Sequence, residues 1–94
     1  MSITKMETRE VFDRSKIGEG DVIEFAELRF YMLRFRELPN KTVGVVKFVY
    51  DESIDVYARS QADNWEKDHV TEVSIPVERA DSIKILYRHP ANEN

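Results

Sequence analysis

The sequence predicts a mainly β protein: a small curled antiparallel sheet or barrel of about five strands. Apolar side chains alternate with a period of two through most of the 94 residues. Turn-forming residues punctuate that alternation at 18–20, 38–41 and 51–53. Nor is there a clean helical face where one is most tempting: around a wheel, Asp21, Glu24, Glu27, Arg29, Arg34, Arg36 and Glu37 scatter over the whole circumference.

Residues 1–16 are mixed and polar, with Val11 and Phe12 as their one adjacent apolar pair. They fit a short N-terminal helix or an edge strand around residues 7–12. Gly18 and Gly20 then supply a turn into Val22-Ile23-Glu24-Phe25. From 28 to 36 the chain reads as strand, with Leu28, Phe30 and Met32 on one face and Tyr31, Leu33 and Phe35 on the other. A strand apolar on both faces must be covered on both, by a barrel-like curl, a packed helix or a second subunit. Residues 42–50 form the clearest strand, Gly44, Val46, Phe48 and Tyr50 alternating with Val43, Val45, Lys47 and Val49. Asp51-Glu52-Ser53 reverses it into 54–58, with Ile54, Val56 and Ala58 inward and Asp55 and Tyr57 outward. Residues 59–69 read as a polar loop around Trp65. Alternation returns through Val73, Ile75 and Val77, with Pro76 marking an edge or an end. A short turn at 78–82 precedes a last strand over 83–87 and a polar tail over 88–94 that is expected to fray. The whole makes one domain, 1–94, with flexible ends at 1–16 and 88–94.

With 41% hydrophobic and 34% charged residues and a net charge of −4, the composition excludes a disordered, collagenous or disulfide-knotted chain. The absence of cysteine removes thiolate catalysis and Cys-type metal sites, and is compatible with a reducing cytoplasm. No apolar run approaches the ~20 residues of a membrane helix, and the polar start has no signal-peptide core. A cytoplasmic protein with no membrane partner is therefore expected.

The order of pieces from 42 to 87 resembles the second half of an SH3-like or Sm-like small barrel. A glycine-bearing strand (Gly44-Val45-Val46-Lys47-Phe48-Val49-Tyr50) is followed by a tight turn, Ile54-Asp55-Val56, a loop, Val73-Ser74-Ile75-Pro76-Val77 and Ile83-Lys84-Ile85-Leu86. The resemblance implies the fold but not RNA binding. Where Sm-like RNA binders carry an Asn after the tight turn and a basic-Gly pair between the last strands, this chain has Asp55 and Glu78-Arg79-Ala80-Asp81.

Catalytic chemistry finds little footing. Six serines and two histidines, His69 and His89, stand in no nucleophile motif. The glycines of Ile17-Gly18-Glu19-Gly20-Asp21 are flanked by carboxylates that would repel phosphate. Asp63, Glu66, Asp68 and His69 cluster around Trp65 without the spacing of a known metal loop, and read as a solvated acidic loop. The sequence thus predicts no enzyme, cofactor or metal.

Charge is unevenly spread: residues 28–47 carry +4, and residues 51–81 carry −6. The leading expectation is a binding or accessory module that docks a protein partner or self-associates, with Tyr31, Leu33, Phe35, Tyr57 and Trp65 as interface residues. The alternative is a nucleic-acid-binding barrel using Arg29, Arg34, Arg36, Lys41 and Lys47. A third reading has the acidic face imitating nucleic-acid phosphates to block a nucleic-acid-binding protein.

Overall fold

A computed structural model describes residues 2–59 and 70–93. Among these described residues nine strands run in chain order: β1 (Thr4–Met6), β2 (Glu10–Phe12), β3 (Val22–Phe25), β4 (Leu28–Tyr31), β5 (Arg34–Glu37), β6 (Thr42–Val49), β7 (Ser53–Ala58), β8 (Thr71–Pro76) and β9 (Lys84–Tyr87). Short 3-10 turns occupy Val77–Ser82 and Pro90–Asn92. The fold is mainly β, in three antiparallel sheets, none closed into a barrel: a five-stranded sheet in the order β8-β7-β6-β3-β9 and two hairpins, β1-β2 and β4-β5. Among the described residues no helix is long and apolar enough to cross a membrane.

The core lies under the five-stranded sheet. Ile23 and Phe25 of β3, Val46 and Val49 of β6, Ile54, Val56 and Ala58 of β7 and Ile75 of β8 share its inner face. The inward and outward assignment of residues 54–58 is the expected one. Along β6, however, the alternation breaks. The pairing with β7 steps from Val46 opposite Val56 to Phe48 opposite Asp55, a bulge at Lys47 that turns Phe48 outward and brings Val49 in.

The N-terminal segment forms strands, not the short helix that was one of its two readings. Residues 4–6 and 10–12 pair as a hairpin whose Val11 and Phe12 are buried; Phe12 belongs to the central cluster and its amide donates to Asp51 O at 2.8 Å. Successive strand residues point to opposite faces, so Phe12 joins the central cluster while Val11 is buried outside it.

The polar tail is anchored through one buried carboxylate. Asp21 accepts from the Gly18 amide at 2.9 Å, the His89 amide at 2.8 Å and the Asn92 side-chain amide at 2.7 Å, and it pairs with Arg88 at 3.2 Å. A buried charge persists when its lone pairs are met in this way. Gly20, at φ +88, makes the turn that brings Asp21 under the tail.

A projecting amphipathic hairpin as the candidate docking site

The segment read as one long strand over 28–36 is a hairpin. Met32 and Leu33 take positive φ values of 52 and 65, the left-handed pair of a two-residue type I′ turn, and β4 folds back on β5. Such turns prefer Asn-Gly, since a side chain in the left-handed region costs about 1–2 kcal/mol. Met-Leu therefore gives no turn signal in the sequence, and that is why the reversal was missed.

Antiparallel partners share a face, so the register assigns both sides of this arm. Leu28 opposes Glu37 and Phe30 opposes Phe35, with the two rings 5.1 Å apart; this face is mainly apolar. Arg29 opposes Arg36 and Tyr31 opposes Arg34; this face is cationic and aromatic. Exposure of the large apolar side chains runs from 57% at Tyr31 to 92% at Leu33. The expected apolar strand thus exists as two half-strands whose large apolar side chains no described residue covers.

The arginines are as bare as the aromatics. Among the described residues, Arg29, Arg34 and Arg36 have no ion-pair or hydrogen-bond partner. By contrast, Arg9 pairs with Asp51 and Glu52, Arg14 with Asp51, Arg79 with Glu37 and Arg88 with Asp21. Two arginines directly opposite one another repel, a cost that an anionic ligand would relieve. Arg29, Tyr31 and Arg36 also line a shallow hollow of about 370 Å³ with Glu37, Leu38 and Pro39 at the root of the arm.

The remaining predicted site residues lie elsewhere. Tyr57 is on the outer face of the five-stranded sheet, opposite Val45, with the Lys47 ammonium 5.5 Å from its ring centroid. Lys47 also donates to Glu72 at 3.0 Å, and this bond holds its pKa above the ordinary lysine range. Lys41 pairs with Glu37 at 3.8 Å. The structure thus brings together Tyr31, Leu33 and Phe35 with Arg29, Arg34 and Arg36, and separates them from Tyr57 and Lys47. Trp65 and the cluster Asp63, Glu66, Asp68 and His69 lie outside the described residues.

A second feature was not anticipated. A groove of about 380 Å³ runs along β8, walled on one side by residues 71–76 and on the other by residues 25–28, with Arg79 at one end. Strand β8 is an edge of the five-stranded sheet. The sequence signal for it was only Pro76, a residue tolerated at edges. Among the described residues no group of three or more His, Asp or Glu side chains is placed to hold a metal ion. No protein-family model, curated protein or solved structure matches this chain.

Proposed function

We propose that this chain is a non-catalytic binding module that docks a protein partner through the β4–β5 arm. One observation carries the reading: Phe30, Tyr31, Met32, Leu33 and Phe35 all project on a hairpin whose turn is held in an unfavourable conformation by two bulky apolar residues. Exposed apolar surface concentrated on one element is the usual mark of an interaction site. Aromatics flanked by arginine are the side chains that most often anchor one. The proposal includes the SH3-like or Sm-like curl for residues 42–87, supported by the β6-β7-β8 meander and the 3-10 turn that carries the chain across to β9 at the opposite edge.

The test is retention by immobilised chain. Proteins of a cell extract held by the wild type are expected to be lost from the double variant Leu33→Ser, Phe35→Asp, whose sites are exposed and whose fold should be unchanged. Equal recovery on both would overturn the reading.

A second reading, nucleic-acid binding, is favoured by the three arginines beside Tyr31 on one face, which have no partner among the described residues. Four residues of strand extend about 13 Å, so Arg34 at the tip stands beyond the ~8 Å over which physiological salt screens charge, while Arg29 and Arg36 lie at the root beside Glu37. This reading predicts a mobility shift of single-stranded RNA at about 50 mM salt that weakens steeply as salt rises. No shift at low salt ends it.

A further inference from the structure

The register of β8 shows which of its backbone groups have no partner among the described residues. The Val77 amide donates to Glu52 O at 2.8 Å, so 52 and 77 are a hydrogen-bonded pair. Antiparallel ladders alternate, which makes 54–75, 56–73 and 58–71 the bonded pairs of β7 and β8. The amides of Glu72 and Ser74 and the carbonyls of Glu72, Ser74 and Pro76 therefore face away from the sheet, into the groove beside β8. The other sheet edge, β9, is shorter and broken by a register shift against β3, and so is poorly suited to pairing.

The same reasoning applies to the arm. The Leu38 amide donates to Glu27 O at 2.8 Å, so 29–36 and 31–34 are its bonded pairs, and the backbones of Leu28, Phe30, Phe35 and Glu37 face outward. The molecule thus carries a free strand edge inside an apolar groove and a projecting ribbon with free edges and an apolar face.

We infer that the arm of one copy docks in the groove beside β8 of a second copy, adding its strands to the five-stranded sheet. This rests on the reading of the arm as a docking element and names its occupant. Charge argues for a second copy. Residues 28–36 carry three arginines and no acid, which leaves −7 on the other residues of a chain whose net charge is −4. Topology argues for docking between copies: Leu28, at the root of the arm, is already part of the groove wall, while the arm residues beyond it do not line the groove and lead away from it. Chemistry argues for the mode. Strand addition satisfies the outward amides of Glu72 and Ser74, and in parallel pairing, where an outward residue of one strand bonds the two neighbours of the residue level with it, the Phe30–Phe35 face lies on the same side of the sheet as Val73 and covers it and Leu28 along the groove. Pro76, which has no amide to donate, need only accept. Reciprocal exchange closes the pair by a twofold axis.

The experiment is analytical ultracentrifugation of the full chain over a range of concentration. The wild type is expected to reach twice the 11.1 kDa chain mass. Ser74→Pro removes one outward amide and leaves the ladder to β7 intact, because edge strands accept proline where the amide faces out. Phe35→Asp, at an exposed site, alters the arm alone and keeps the test valid if Ser74→Pro fails to fold. Each is expected to weaken dimerisation about tenfold or more. Mixing the two variants rebuilds one intact arm and groove contact and should restore part of the dimer. A wild type that stays monomeric overturns the inference, as does a dimer that both variants preserve. If the wild type stays monomeric while its arm retains another protein, the occupant is wrong and the docking role of the arm stands. If it neither self-associates nor retains any protein through the arm, both fall.

Discussion

Gly44 sits in β6 against β7, where an added Cβ would collide with the Val56 side chain and come within 2.8 Å of the Tyr57 carbonyl oxygen. Backbone cannot yield as a side-chain tip can, so Gly44→Ala is expected to cost about 1–3 kcal/mol. Urea denaturation measures it, and an unchanged midpoint would contradict the register of β6 on β7. Asp21 makes a larger demand. Asp21→Ala removes the acceptor shared by Gly18, His89 and Asn92 and strands Arg88, for a loss of about 3 kcal/mol and release of the tail. Hydrogen exchange at the His89 amide reports that release. The Lys47 pKa, raised chiefly by the hydrogen bond to Glu72, fixes a sign. The pair contributes stability at pH below 10.5, and that contribution is lost as pH rises through the raised value in the folded protein. Glu72→Gln should flatten this alkaline part of the pH–stability curve; an unchanged curve would contradict the pairing. Sequence reading found the turn at Gly18 and Gly20, but gave no hint that Asp21 would gather the far end of the chain. A single Asp in a turn looks the same whether water or a tail satisfies it.

Alternation placed β6, β7 and β8, because a half-buried strand writes its burial into every second residue. It failed at two elements, for different reasons. The bulge at Lys47 is hidden by valines on both sides, which leave the pattern apolar whichever face turns inward. The turn of the arm is hidden because Met32 and Leu33 occupy backbone conformations that sequences normally signal with Asn and Gly. On the proposed function, the strain of this turn is offset by what its side chains bind. Replacing Met32-Leu33 with Asn-Gly is therefore expected to stabilise the protein by about 1–2 kcal/mol while reducing docking. Thermal unfolding and partner retention measure the two effects, and a stabilised variant with undiminished docking would contradict the role of the tip.

At the scale of the whole molecule, the body and the arm carry opposite charge, and the arm gathers five strongly exposed large apolar side chains on one hairpin, while Val43, Val45, Phe48, Tyr50 and Tyr57 are exposed on β6, β7 and the turn between them. Sequence reading detected both halves of that asymmetry, in the +4 of residues 28–47 and in a strand apolar on both faces. Face assignment was out of reach without the turn. One straight strand puts Phe30 with Met32 and Tyr31 with Phe35; the hairpin puts Phe30 with Phe35 and gathers Arg29, Arg34 and Arg36 around Tyr31. The groove beside β8 was equally hidden, since it arises where residues 25–28 pass the far edge of the sheet. An arm that docks through paired charge and apolar contact should bind more weakly, but not be abolished, at high salt. The most direct measurement of the central claim is photo-crosslinking from a reactive side chain placed at Leu33, with one at exposed Glu7, away from both arm and groove, as the control. The account predicts a protein adduct from position 33 and none from position 7. Absence of any adduct at 33, or equal adducts from both positions, would contradict it.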